Sequence, residues 1–446
     1  MLRAGRLSRE LRVHELRAFI VVALVVLVGV LASRFRILPF LLPIVAAAGF
    51  GIATGTDLTW IARNFQSGFT QTLGAAGSAI VAGVIVAHLA ASSGALAQWR
   101  SKLSEQGRAF LLHAGAALAG LGGNAISALA ILAPLFGLIE GARTRLALRS
   151  SMIVTAMQGA VVPAPLPIAA LAILGGDWRL ALGLGIPLAL LQIALAFWLT
   201  RHVPDQSSAA DLPDAAPNRM AAVGLAVAMA VLIAMLVLNA IGQNPAEPLG
   251  GANARERILR LGLPVMLLGA GALALLAFSG AGHARRAVEE GGVIARALAA
   301  SAGILFAVGA AGGLQMVLHT DGLANLVIEH IGVLPPGLGL AIPFALALVG
   351  RALQGSPLTA TITAAGLVIP VLGPLGLDDP AGRALAALAV STGAMALPHI
   401  NDGFFWLTCQ QSGLRAHQGL RWITGTAFVQ ALAGFALLVL CRIMVR

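Results

Sequence analysis

The stretch ALPHINDGFFWL, residues 396–407, lies in an apolar run yet holds a proline, a histidine, an asparagine, an aspartate and a glycine between Pro398 and Gly403. Asp402 is the sharpest of these. An ionisable side chain inside a membrane segment is costly and ordinarily faces a cavity or a partner. His399 stands three residues upstream and Asn401 is adjacent. A carboxylate near an imidazole can take up and release a proton where water reaches it. Asp402 and His399 are therefore the candidate proton-coupling pair, and Asn401 a candidate substrate contact. The blander reading is a helix-break cap or a structural salt bridge, with Arg351 as the partner. A costly group that coincides with a helix break favours function.

Arg351 precedes QGSPLT. An arginine there can hold a carboxylate with two parallel hydrogen bonds; pairing with Asp402 is its competing use. Gly355-Ser356-Pro357 opens a helix from Leu358 onward, and a helix N-terminus presents free N–H groups and a positive dipole end to an anion. Ser356 and Thr359 add hydroxyls. In the first half of the chain, Gly122-Gly123-Asn124 with Ser127 takes the corresponding place. Tight packing is the alternative for both small-residue tips. The candidate substrate contacts are thus Asn124, Ser127, Arg351, Gly355, Ser356, Thr359 and Asn401. The segment VPAPLP, 162–167, carries no ionisable group and reads as a break that frees carbonyls.

These groups must sit in a membrane. Of 446 residues, 58% are hydrophobic and 11% charged, against about a quarter charged in a soluble domain. A bilayer crossing takes about 20 apolar residues. Candidate segments are 18–33, 37–55, 68–98, 109–140, 151–175, 180–200, 220–241, 261–279, 294–328, 338–373, 384–411 and 422–442. No cleavable signal peptide is evident at the start. The net charge of +11 comes from arginines in short connectors and at the termini, the pattern of a membrane protein rather than a nucleic-acid binder. Cys409 and Cys441 show no metal-ligand spacing and read as small buried hydrophobes. HExxH, GxSxG, Walker A and CxxC patterns are missing, so no metal, organic cofactor or catalytic residue is expected.

The polar stretch 201–219, rich in Pro, Asp and Ser, reads as a linker between two transmembrane repeats, 18–200 and 220–446. Each half runs through the same order of features. A long interrupted segment (109–140; 338–373) is followed by a second (151–175; 384–411) and by a plain span (180–200; 422–442). Paired interrupted segments are the sequence mark of a transporter site, since irregular backbone at membrane depth must be buried or line a cavity. The long segments are expected to be re-entrant helical hairpins with tips near 120–127 and 352–359. The others are expected to be spans unwound at Pro163–Pro167 and Pro398–Gly403. Connectors around the first hairpin are basic and those around the second are not, which suits inverted repeats; the basic N-terminus runs against that pattern. The fold class is an all-α polytopic membrane protein of two inverted repeats.

LPHINDGFFWL resembles the "SHVND-x-GFW" stretch of the gluconate permease (GntP) family. RALQGSPLTATITAAGLVIP is similar to that family's "R-x-x-x-GSAT…TAAG" stretch, and VVPAPLPIAALAIL to its proline-rich segment. The resemblance runs with gaps from about residue 37 to the C-terminus. It implies a proton symporter for sugar acids or related small acids, and a homodimer of scaffold and transport parts working by an elevator-like motion. Four positions depart from the family pattern. Pro398 replaces a serine, Leu358 a threonine and Ala164 a histidine, and Asn124 is the nearest match to a glutamate. The expected function is uptake of a small organic anion with protons through the inner membrane. Sodium coupling on the same fold is the alternative; a membrane enzyme or a sensor is the alternative of another class.

Overall fold

The computed structural model describes residues 40–122, 124–139, 144–205, 215–242, 264–320 and 339–445, together with Ile20 and Leu38. The expected span 18–33, Gly123 of the first tip and the connector 329–337 lie outside the described residues, apart from Ile20.

Among the described residues every regular element is helical. The first half holds α1 (Leu41–Thr54), α2 (Leu58–Thr72), α3 (Ser78–Ser92), α4 (Ala95–Lys102), α5 (Glu105–Gly120), α6 (Ala125–Ala130), α7 (Ala133–Phe136), α8 (Thr144–Ala160), α9 (Pro165–Leu174) and α10 (Trp178–Thr200). The second half holds α11 (Arg219–Gly242), α12 (Pro264–Phe278), α13 (Ala281–Val288), α14 (Val293–Thr320), α15 (Ala341–Gln354), α16 (Pro357–Val368), α17 (Pro380–Ala394), α18 (Gly403–Ser412), α19 (Ala416–Gly419) and α20 (Gly425–Val445). Thr144–Leu174, Trp178–Thr200, Val293–Leu318 and Ala416–Met444 are each long and apolar enough to cross a membrane.

The expected segment 68–98 belongs to a longer run. It starts at Leu58, where Asp57 caps α2 by accepting from the Trp60 N–H at 3.1 Å. A π-turn at Leu73–Gly77 joins α2 to α3, and the chain then bends by 73° between α3 and α4. The bend falls at Ser93-Gly94, where Gly94 has φ +80°.

Both hairpins form. In the first, α5 runs to a tip at 121–124 and α6–α7 return against it. In the second, α15 and α16 pack together around Gly355-Ser356. At 1.5 Å per residue the 14-residue α15 is about 21 Å long, short of the roughly 30 Å hydrocarbon core. Both spans are broken as well. The first break is at 161–164 rather than 163–167, because Pro165 and Pro167 sit in the first turn of α9. There the missing N–H of proline leaves no helical acceptor unpaired. The second break covers 395–402, and Asp402 caps the restart at Gly403.

The sequence halves are not separate packing units. Helix α2 lies along α14, and α3 packs on α12 and α14. The hairpins show the same exchange. The first packs on α8 and on α18; the second packs on α17 and on α9. Each hairpin therefore meets the first part of its own broken span and the last part of the other one.

At one end, Arg442 grips Asp379 with two hydrogen bonds, 3.1 and 2.6 Å, and also donates to the Gly376 carbonyl. This ties the end of α20 to the start of α17. The Arg442 hydrogen bond, helped by the Gly382 N–H, holds the Asp379 carboxyl down at about 2. A depressed carboxylate stabilises the fold above its ordinary titration range and loses that contribution as pH falls through its folded value. Asp379→Asn keeps an acceptor for the Gly382 N–H. It is expected to lower stability at pH 7 by no more than about 1 kcal/mol, the ceiling for an exposed pair. Thermal unfolding from pH 7 downward checks this: the gap to the parent should close between about pH 4 and pH 2.

Candidate functional site

The four backbone interruptions converge. The two broken spans cross where Ser391 of α17 donates to the Gly159 carbonyl of α8 at 2.7 Å. Gly120, beside the first tip, lies against α8; a Cβ there would come within 2.9 Å of the Met157 Cβ. Gly403, at the restart of the second span, lies against Ile126 of the first hairpin, 2.8 Å from a built Cβ. Gly355, at the second tip, lies against Asn401, with a built Cβ only 2.6 Å from the Asn401 carbonyl. Only at Gly355 would a side chain meet main chain this closely; at Gly120 and Gly403 it would first press on the side chains of Met157 and Ile126.

At this junction Arg351, in the last turn of α15, reaches Asp402 in a buried ion pair through Nη2 and Oδ2. The residues are 1% and 4% exposed. The other carboxylate oxygen of Asp402 accepts from the Phe404 N–H at 2.9 Å, so Asp402 is both the cap of α18 and the arginine's partner. His399 Nε2 faces the Ala352 carbonyl at 2.8 Å. That contact makes Nε2 the protonated nitrogen and leaves Nδ1 as an acceptor. The Asn401 amide nitrogen approaches the same carbonyl at 3.4 Å. The Trp406 indole donates to the Ile400 carbonyl at 2.9 Å, and the Thr424 hydroxyl donates to the Pro398 carbonyl. The unwound segment is thus pinned from three sides.

Arg351, Gly355, His399, Asn401 and Asp402 are brought into one cluster. The tips differ from expectation in one respect. Ser356 caps α16 by accepting from the Thr359 N–H at 3.3 Å. Asn124 does the same for α6, accepting from the Ser127 N–H at 2.8 Å. Those two N–H groups are therefore engaged locally. Asn124 is exposed and Ser127 buried, and the first tip reaches the cluster through Ile126. Asp177, which reads as a loop residue in sequence, caps α10.

One buried polar residue at the second tip escapes sequence reasoning. Gln354 is 1% exposed, and both atoms of its amide lack a hydrogen-bond partner among the described residues. So do Arg351 Nε and Nη1, His399 Nδ1 and Asn401 Oδ1. Buried polar atoms are nearly always satisfied, so this concentration at one helix break makes the cluster the candidate site. The available signal was a glutamine on an apolar arm immediately before the tip.

The guanidinium geometry leaves room for a second carboxylate. Arginine presents two forks of parallel N–H groups, Nη1 with Nη2 and Nε with Nη2. Both use Nη2, the nitrogen that Asp402 holds. The two forks use different hydrogens of Nη2, so the single contact from Asp402 occupies one fork and leaves the other open to a second carboxylate.

The family model described as GntP family permease matches residues 16–444. The gluconate permease of Pseudomonas aeruginosa is 28% identical over 442 residues, covering 95% of this chain and 97% of its own length. The low-affinity gluconate transporter of Escherichia coli K12 is 26% identical over 420 residues, covering 89% and 92%. Among solved structures, the YdaH transporter of Alcanivorax borkumensis aligns over 86% of this chain and 88% of its own at 16% identity, with a TM-score of 0.35. With a family match over nearly its whole length and several helices able to cross a bilayer, the chain belongs to the GntP family of permeases and is a multi-pass membrane transporter, not an enzyme.

Proposed function

We propose that the protein is a symporter that carries a sugar acid or hydroxy acid with a proton through the inner membrane, with Arg351 and Asp402 as the coupling pair. The buried ion pair at the junction of hairpin tip and broken span carries this reading. With Asp402 ionised and no substrate, the site is neutral. A proton on Asp402 removes the counter-charge of the guanidinium. A substrate carboxylate then supplies it, and the site is neutral again. The two intermediate states, anion without proton and proton without anion, each leave a net charge in a low-dielectric interior, which is strongly disfavoured. Binding of the two is coupled for that reason, and only the neutral states cross easily.

The remaining unpartnered atoms favour a hydroxylated acid. Gln354 Oε1, Asn401 Oδ1 and His399 Nδ1 are acceptors and call for donors from the ligand. The hydroxyls of a sugar acid supply them; an unsubstituted alkyl carboxylate does not. The names of the gluconate-transporting relatives support the same class. The two-fold arrangement of hairpins and broken spans is read here as inverted repeats surrounding the site.

Uptake into proteoliposomes tests this directly. Gluconate, other sugar acids, hydroxy acids and a plain short-chain carboxylate would be offered with a pH gradient, with a sodium gradient, or with neither. The expected result is accumulation of a hydroxylated acid, about tenfold per pH unit for one proton per monoanion, with no response to a potassium-diffusion potential alone. Accumulation that needs sodium and ignores pH would overturn the proton coupling.

A further inference from the structure

Helices α8, α10, α17 and α20 surround a small cavity, with room for one water-sized occupant, lined by Thr155, Gln192, Thr392, Met395 and Gln430 among others. It is separate from the Arg351 cluster. Gln192 and Gln430 come from the last plain span of each half and hold one another reciprocally. Gln192 Nε2 donates to the Gln430 carbonyl at 3.3 Å. Gln430 Nε2 donates to the Gln192 carbonyl at 2.7 Å and to the Met152 carbonyl at 3.5 Å. Only the nitrogen of an amide can donate to a carbonyl, so these contacts assign both amides. Both Oε1 atoms are then left buried without a partner among the described residues.

The hydroxyls add to this. Thr155 donates to the Met152 carbonyl at 2.7 Å and Thr392 to the Gly159 carbonyl at 3.5 Å. Their protons point to main chain and their lone pairs remain available. The residues of the cavity wall therefore carry four oxygen acceptors, two amide and two hydroxyl, while both hydroxyl protons and three of the four amide N–H groups are engaged with main-chain carbonyls. A water molecule has two hydrogens and leaves two acceptors unmet; an apolar occupant meets none. A small monovalent cation meets all four together. The end of α17 falls at Ala394, between Thr392 and Met395 of the lining, and a helix C-terminus carries a partial negative charge that favours a cation.

We infer that this cavity is a sodium site, formed where the closing helices of the two halves clasp each other. Neutral oxygens beside a helix break are the kind of ligand set that holds sodium in transporters. The inference does not depend on which ion drives transport.

The test is equilibrium binding, not uptake. Detergent-purified protein in choline chloride would be titrated with NaCl, KCl or further choline chloride while its unfolding temperature is followed. The expected result is a saturable rise with sodium that potassium does not reproduce. Thr392→Val keeps the shape and loses only a long hydrogen bond. It should unfold like the parent in choline and raise the half-saturating sodium concentration by about tenfold or more, since even outer-shell partners of a bound metal are worth that much. Gln430→Leu should abolish the sodium response; should that variant not fold, Thr392→Val decides. A parent without a sodium-specific rise, or a Thr392→Val variant with the parent's half-saturation, would leave water as the occupant and end the proposal. Neither result bears on the proton-coupled reading, which is tested by flux.

Discussion

Asp402→Asn is expected to uncouple uptake from the pH gradient while leaving a site that still binds the anion. Asparagine keeps an oxygen for the Phe404 N–H, so the cap of α18 survives. It carries no charge to hold Arg351 Nη2, so the variant mimics the protonated aspartate at every pH. Exchange of substrate across a vesicle membrane should persist and lose its pH dependence, and accumulation driven by a pH gradient should vanish. The variant also leaves a buried guanidinium without its counter-charge, which typically costs about 3–5 kcal/mol. A substrate carboxylate restores that counter-charge. Saturating substrate should therefore raise the unfolding temperature of the variant by more than that of the parent. Both outcomes can be read on one preparation, by thermal unfolding with and without gluconate and by counterflow at pH 5.5 to 8, about the range in which coupling groups titrate in cells. Uptake that keeps its pH dependence in Asp402→Asn would remove Asp402 from the coupling step. A substrate effect no larger than the parent's would remove Arg351 from the carboxylate site.

Gly355→Ala has the next largest expected effect, and it tests the tip rather than the charges. Gly355 has φ +72°, a conformation that costs an L-residue roughly 1–2 kcal/mol. Its built Cβ would also lie 2.6 Å from the Asn401 carbonyl and 2.8 Å from the Asn401 Cγ, and forcing a methyl into a packed site costs about 1–3 kcal/mol more. The sum is about 2–5 kcal/mol. The displacement falls on Asn401 and, through the turn in which the Asp402 N–H donates to the His399 carbonyl, on the coupling pair. Transport should fall much further than stability does, and the apparent affinity for substrate should fall with it. Uptake kinetics on protein matched for folded content checks this. A Gly355→Ala variant that transports like the parent would show that the tip packs without positioning the site.

Much of this could be read in the sequence because membrane burial makes polar residues expensive. Asp402, His399 and Arg351 stand out in apolar runs for that reason, and proline or glycine beside them marks each break. The boundaries drifted in a patterned way. The first break moved from 163–167 to 161–164 because proline is at home in a first helical turn, so a proline cluster marks the restart as much as the interruption. The second break extended back to Met395, where no proline or polar residue announces it. Gln354, Gln192 and Gln430 do not stand out in the sequence, because an uncharged amide is cheap enough in a helix to carry no signal of its own. Only their buried atoms, left without a partner in the fold, make them conspicuous.

By itself the sequence determined the medium, the all-helical class, the two hairpins and broken spans, and the residues that carry charge at membrane depth. Hydropathy and the backbone's need for hydrogen bonds are local properties, and they are written residue by residue. The tertiary structure alone decided that the halves exchange elements, so that each hairpin closes on its own span and on the other half's. It alone seated Asp402 between Arg351 and the start of α18, and turned two distant glutamines toward each other around a small cavity. Those facts depend on which atom meets which across hundreds of residues of chain, and no periodicity records that.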